Sequence, residues 1–309
     1  MVSFRFLSTV VFAGALSFLL TPATIRLCHT VGALDAPDGK RKINTEPTPR
    51  LGGLAFFLSF LIFSMPLAIH DKFAAAILSG GSLLVAGGFA DDVFDIPPIL
   101  KLLTQASATA IAVSIIGAPS SFSFFGILNL SLSVPLGTLV AVFKMLFTVN
   151  SVNFADGLDG LAAGLSVSAF ISLFFYGIMN GNVNTAVCVL ILASSVMGFL
   201  PYNKYKAKTF MGDSGSQFLG FAIALFSLGC ARDNAYTIET TLFLAIPALD
   251  TALSVVRRLL KGKSPFSADK GHIHHILLKR GLSHPTAVKL LVFLNATIGA
   301  IALVFCFFS

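Results

Sequence analysis

Three aspartates fall within five residues, Asp91, Asp92 and Asp95, just ahead of the prolines at 97 and 98. On a helix Asp91 and Asp95 lie one turn apart and Asp92 lies three residues from Asp95, so the three crowd one side before the prolines stop the helix. Like charges so placed repel, and a divalent cation or a raised pKa is the usual way that cost is offset. Lys101 and Gln105, one turn apart, add a cation and an amide facing one direction. A second polar run, Asn150, Asn153, Asp156 and Asp159, recurs every three residues. Three such steps drift by roughly 180° on an ideal helix. Gly157 and Gly160 therefore predict a break that turns these side chains and freed backbone groups toward a polar cavity. In Phe210-Met-Gly-Asp-Ser-Gly-Ser216 a helix opens, with Asp213 and Ser214 placed to cap it and Asp213 also a candidate metal ligand. His272, His274 and His275 have the makings of a zinc site, but among Lys and Arg they read as hydrogen-bond donors to a nucleotide or phosphate. Arg258 and the basic cluster around Lys42 would meet phosphate or anionic headgroups, and Gly52 and Gly53 allow close backbone approach.

These groups must be positioned by elements that sit in lipid. The chain has 309 residues, 55% hydrophobic and only 11% charged, against roughly 25% charged in a soluble domain. That excludes a soluble enzyme. Charge-free runs cover Phe6–Ile25, Leu51–His70, Phe73–Ala90, Leu102–Phe143, Leu161–Asn203, Ser214–Ala231 and Leu290–Ser309, and Thr240–Val256 is interrupted only by Asp250. A span needs about 20 apolar residues, so splitting the two longest runs predicts about ten transmembrane helices in a single all-α polytopic domain over residues 1–309. The first run is read as a retained helix rather than a signal peptide. Asp250, near Pro247, marks a bent ninth span.

Alternating the loops places all of the 21 Lys and Arg on one side except Arg5, Lys72 and Arg232, a positive-inside signal that puts both termini outside and the basic loops in the cytoplasm. Lys144 is counted with those loops. All 14 acidic residues except Asp71, Asp233 and Glu239 fall on the same side. Carboxylates mixed with Lys, Arg and His at one membrane face suit a divalent metal and an anionic substrate. Cys28, Cys188, Cys230 and Cys306 have no paired spacing, so neither a disulfide framework nor a zinc site is expected. The net charge of +7 shows no aromatic-basic repeat, and nucleic acid is set aside.

In their order these motifs resemble the polyprenyl-phosphate N-acetylhexosamine-1-phosphate transferases, glycosyltransferase family 4, over essentially the full length. The matching segments are Pro-Thr-Pro-Arg-Leu-Gly-Gly at 47–53, the aspartates 91–92 with Lys101, the Asn-x-x-Asn-x-x-Asp-Gly-x-Asp-Gly run from Asn150, Phe-Met-Gly-Asp-x-Gly-Ser at 210–216, and His-Ile-His-His at 272–275. The resemblance implies that undecaprenyl phosphate attacks the sugar-linked phosphorus of a UDP-N-acetylhexosamine and expels UMP. It further implies Mg²⁺ with Mn²⁺ as a substitute, a ten-helix fold that is often dimeric, and a cytoplasm-facing site in the bacterial inner membrane. By resemblance Asp91 deprotonates the lipid phosphate or attacks as a nucleophile, with Asp92 beside it. Asp213 and Asp92 would hold the metal. Lys101, Arg258, Lys42 and the histidines would bind phosphates, and Asn153, Asp156 and Asp159 would line the nucleotide pocket. Ser-Pro-Phe-Ser at 264–267 with His-Ile-His-His looks like the N-acetylglucosamine-1-phosphate branch rather than the muramoyl-pentapeptide branch, which usually has three consecutive histidines. Asn44 stands where that family commonly has a histidine, so no histidine role carries over there. The reading from another class is a secondary transporter, but transporters place ionisable residues near the bilayer midplane, and here they sit at helix ends.

Overall fold

The structure, a computed structural model, describes residues 4–36, 47–125, 127–232, 235–262 and 271–308. A first helix, α1 (Phe4–Val31), leads through two-residue strands β1 (Leu34–Asp35) and β2 (Thr48–Pro49) into α2 (Gly53–Ala68), α3 (Lys72–Phe94) and α4 (Pro98–Ile116). Strands β3 (Ser121–Phe124) and β4 (Leu128–Ser131) precede α5 (Val134–Ala155), α6 (Leu161–Met179), α7 (Val183–Asn203) and α8 (Gly212–Gly229). The chain ends with β5 (Ala235–Thr237), the short α9 (Ile238–Leu242), α10 (Ala245–Leu260), the short α11 (Ile273–Lys279) and α12 (His284–Phe308). This is a helical, multi-pass membrane architecture: seven of these helices are long and apolar enough to cross a bilayer, and α2 is a shorter apolar helix. The small sheet, ordered β4-β3-β5, comes from a stretch the apolar runs conceal, where Ser-Phe-Ser-Phe and Leu-Asn-Leu-Ser alternate with the period of a strand.

At the centre stands α8, buried without interruption from Ser214 to Gly229 and packed against α2, α3, α5 and α6. Its outer shell is aromatic, with Phe218 in edge contact with Phe57 at 5.0 Å and Phe170 meeting Phe226 at 6.2 Å. At its start the helices close to backbone contact. A side chain at Gly53 would strike Gly215 and the Met211 carbonyl, which fits the close approach expected of Gly52 and Gly53.

The segment expected to form a ninth span is broken earlier than Pro247. The helix stops at Leu242 and restarts at Ala245, and buried Asn295 of α12 bridges the gap. Its amide donates to the Phe243 carbonyl at 2.9 Å and to Ser168 Oγ at 2.8 Å, and its oxygen accepts from Ile246 N–H at 3.1 Å. Pro247, in the first turn of the new helix, needs no donor and so causes no kink. Lys144 does not belong to a loop. It lies in the middle of α5, where its ammonium donates to Thr241 Oγ1 and sits 6.0 Å from the Tyr236 ring, and these partners let a cation reside inside the bundle.

Candidate active site

The site forms where α3 ends and α8 begins. Asp95 ends α3 with φ of +50°, a left-handed turn that swings its side chain outward to Arg50 at 3.1 Å instead of joining Asp91 and Asp92. Arg50 also donates from Nε to the Asp92 carbonyl at 2.8 Å, tying the Pro-Arg-Leu-Gly-Gly segment to this helix end. Neither Asp213 nor Ser214 caps α8. The cap comes from across the interface: Asp92 Oδ1 accepts from Asp213 N–H at 2.9 Å and Oδ2 from Ser214 N–H at 3.1 Å. A carboxylate so placed satisfies two orphan donors and meets the positive end of the helix dipole. The geometry depends on Gly212, whose φ of +71° suits glycine and whose missing side chain makes room for the Asp92 carboxylate and the Arg50 carbonyl.

Because Asp92 does the capping, Asp213 is released to face the cavity. Lys101 Nζ lies 2.6 Å from Asp91 Oδ2 and 3.0 Å from Asp213 Oδ2. Asn153 donates to Asp213 Oδ1 at 3.0 Å and to Ser216 Oγ at 2.9 Å, and Gln217 donates to Asp213 Oδ2 at 3.0 Å. Behind this layer Asn150 donates to Gln105, and Gln105 to Gln217, each at 3.1 Å. Asp91 Oδ1 accepts from Ile96 N–H at 3.0 Å. Among the described residues, Asp91, Asp92 and Asp213 are the group with metal-binding geometry, with ligand oxygens within 4.8 Å of one another. Three carboxylates against one lysine leave excess negative charge, and hard oxygen donors suit a hard divalent cation.

Beside this cluster opens a cavity of about 320 Å³. Asn153, Asp156, Asp159, Asp92 and Asp213 all line it, joined by Asp35, Arg50, His275 and His284. The break expected near Gly157 is present: α5 ends at Ala155, Asp156 caps it, and Gly160, with φ of +77°, opens α6. Asp159 Oδ2 accepts from Ala207 N–H at 3.1 Å, holding the 204–208 loop against the cavity. Burial first, then the charges of Asp213, Asp92 and Asp159, push the Asp156 carboxyl well above the ordinary range.

The three histidines part company. Only His275 lines the cavity. His272 is buried against Asp250, its Nδ1 2.9 Å from Oδ2, while Asp250 Oδ1 accepts from Ile273 N–H at 3.0 Å. His274 stacks between His272 and His275, and burial, followed by the neighbouring imidazoles His275 and His272, lowers its pKa to about 4. Burial thus favours its neutral imidazole, which suits packing better than phosphate binding. Arg258 is buried, its guanidinium 5.5 Å from the Phe154 ring, away from the cavity lining. Lys42 and Asn44, within residues 37–46, and the 264–267 stretch, within residues 263–270, lie outside the described residues. The sequence reading missed Asp35, Arg50 and His284 as cavity residues. Arg50 sits in a motif already singled out, whereas nothing local marks His284 beyond its place at the site end of the last helix.

Fold and site together define a multi-pass membrane protein whose chemistry is concentrated at one end of its bundle, between clustered carboxylates and a lysine. The sequence profile described as glycosyl transferase family 4 matches residues 74–231, and the chain belongs to that family. It is similar to a probable undecaprenyl-phosphate N-acetylglucosaminyl 1-phosphate transferase of Bacillus subtilis (strain 168), at 34% identity over 87% of this chain and 76% of that protein. A decaprenyl-phosphate N-acetylglucosaminephosphotransferase of Mycobacterium tuberculosis is 33% identical over 90% of this chain and 77% of its own length. The undecaprenyl-phosphate alpha-N-acetylglucosaminyl 1-phosphate transferase of Escherichia coli (strain K12) is 29% identical over 90% of this chain and 78% of its own.

Proposed function

We propose that the protein transfers N-acetylglucosamine-1-phosphate from UDP-N-acetylglucosamine to undecaprenyl phosphate and releases UMP. A phosphate oxygen of the lipid forms a bond to the sugar-linked phosphorus while the bond from that phosphorus to the bridging oxygen breaks, and the pair of electrons leaves with UMP. The observation that carries this reading is the Lys101 bridge between Asp91 and Asp213, set against Asp92 at the edge of the acidic cavity. An anionic nucleotide and an anionic lipid phosphate cannot meet in so acidic a cavity without added positive charge. The carboxylate oxygens of Asp92 and Asp213 suit Mg²⁺. When bound, the ion neutralises the meeting phosphates and stabilises the departing one. Asn153 and Gln217 orient the Asp213 carboxylate, and Asp91 receives the lipid phosphate's proton when that phosphate arrives singly protonated. Lys101 holds Asp91 and Asp213 together and offers positive charge to the incoming phosphate. Asp156, Asp159 and His275 line the nucleotide side of the cavity.

In this reading the chain makes ten crossings with both ends outside the cytoplasm, and the cavity opens to the cytoplasmic face of a bacterial inner membrane, where UDP-sugars are available. The charge asymmetry of the loops supports that orientation. The test is UMP release by the purified protein in detergent with undecaprenyl phosphate across a panel of UDP-sugars, with and without Mg²⁺. Release that requires both lipid and metal, and favours UDP-N-acetylglucosamine, is expected. No release with any donor from folded protein overturns the proposal.

A further inference from the structure

The opposite end of the bundle holds a second cavity, of about 610 Å³, that the reaction does not use. Its floor is one face of the three-stranded sheet. Side chains alternate along a strand, and the register sets Ser121 and Ser123 of β3 beside Ala235 and Thr237 of β5, with Asn129 of β4 opposite Ser123. The other face carries Phe122, Phe124, Leu128, Leu130 and Tyr236, and Phe122 and Tyr236 pack into the core. The sheet thus sets Phe122 and Tyr236 into the bundle, leaves Phe124, Leu128 and Leu130 exposed, and presents hydroxyls and an amide to the cavity.

Two charged groups share that space. Glu239 lines it, is only 3% exposed, and has a carboxylate oxygen with no hydrogen-bond partner. Arg232 lines it as an exposed residue and is not ion-paired with Glu239. Elsewhere in this protein, buried carboxylates are well supplied: Asp92 receives two backbone N–H groups, and Asp250 an imidazole and an N–H. An unmet buried carboxylate oxygen is costly, and a donor that brings positive charge offsets that cost best. The arginine at the exposed side asks for an anion. The wall adds apolar contacts from Phe307 and Met179, continuous with the outward-facing Ile301 and Val304 of α12, a surface fit for acyl chains.

We propose that this cavity binds the headgroup of an aminophospholipid, with the primary ammonium on Glu239, the phosphate at Arg232 and the chains along α12. Free headgroup offers the same charges without the chains. The experiment is native mass spectrometry of the full-length protein in detergent, titrated with phosphatidylethanolamine, phosphatidylcholine and phosphatidylglycerol of matched chains. Choline keeps the charge but cannot donate a hydrogen bond, and glycerol has neither charge nor ammonium. Phosphatidylethanolamine is expected to bind about tenfold more tightly than either. Glu239→Gln should erase that preference, and Arg232→Gln should weaken all three lipids alike. Equal binding of the three lipids to the unaltered protein overturns the proposal without reliance on any variant, as does a preference that survives Glu239→Gln. Displacement by glycerophosphoethanolamine at concentrations comparable to the lipid would assign the cavity to free headgroup and overturn the lipid assignment.

Discussion

Asp71 and Asp213 both stand at the start of a helix, at opposite ends of the bundle, and they are put to opposite uses. Asp71 caps α3 itself: one oxygen accepts from Phe73 N–H at 2.8 Å and Ala74 N–H at 3.1 Å, the other from Thr185 Oγ1 at 3.0 Å. Its charge is absorbed by backbone and hydroxyl, and it lines neither large cavity. Asp213 sits in the first turn of α8 but gives up the capping position to Asp92, a residue more than a hundred positions earlier. Its own carboxylate then faces Lys101, Asn153 and Gln217, with Asp91 and Asp92 near enough to share an ion. A carboxylate at a helix start is left open to other partners when another group takes over its structural duty.

The comparison would break most visibly if the two aspartates responded alike to substitution. Asp213→Asn keeps size and most hydrogen bonds but removes the charge. Turnover should fall by about a thousandfold or more, the scale of losing a ligand to the metal that offsets the meeting phosphates, while the melting temperature hardly moves. UMP release and a thermal unfolding curve on one preparation decide it, and turnover near the unaltered level would remove Asp213 from the site. Next in size is Gly212→Ala. It forces a side chain into a left-handed turn and against the Asp92 carboxylate, so a loss of about 2 kcal/mol is expected in stability, together with most of the activity. If the variant melts and turns over normally, the cap of Asp92 on α8 is not what frees Asp213.

Most of the site's parts could be read from the chain because charge is rare in it and stands out. The nearness of Asp91 to Lys101, the turn after Asp156 and the place of Asp213 at the start of a helix all rest on residues that a span would otherwise exclude. The partnership of Asp92 with the α8 N-terminus could not be read, because it depends on how two helices cross, and helix crossing leaves no local periodicity. The same reason hid the gap at Phe243–Leu244, where the bridging amide comes from Asn295, about fifty residues later. The separate surroundings of the three histidines could not be read for a different reason. Sequence gives their spacing, but burial decides whether an imidazole is a cation, and Asp250, which holds His272, lies 22 positions upstream. The small sheet was masked because the apolar residues of one of its faces merge with the charge-free runs around it.

Two smaller effects sharpen the contrast. Asp71→Ala removes an N-cap from a helix that has no other, and should lower stability by about 1 kcal/mol with turnover per folded molecule unchanged. A large loss of turnover would mean that the far end of α3 positions Asp91 and Asp92 more directly than their local bonds suggest.

The smallest effect belongs to His274, which tests whether the histidine segment is packing or charge. Its folded pKa is about 4 against an ordinary 6.5, so the unfolded chain binds more protons between those values. Stability from this group is fully present above pH 6.5 and is lost as the pH falls toward 4. Between pH 7 and pH 5.5 the loss should be about 1 kcal/mol. His274→Gln removes the titrating ring, so the difference between its melting temperatures at the two pH values should be smaller than that of the unaltered protein. If both proteins lose stability equally on acidification, the proton is taken up elsewhere, and His274 binds protons alike in the folded and unfolded chain. It would then be able to take up a proton beside His275 rather than serve as a neutral wedge between His272 and His275.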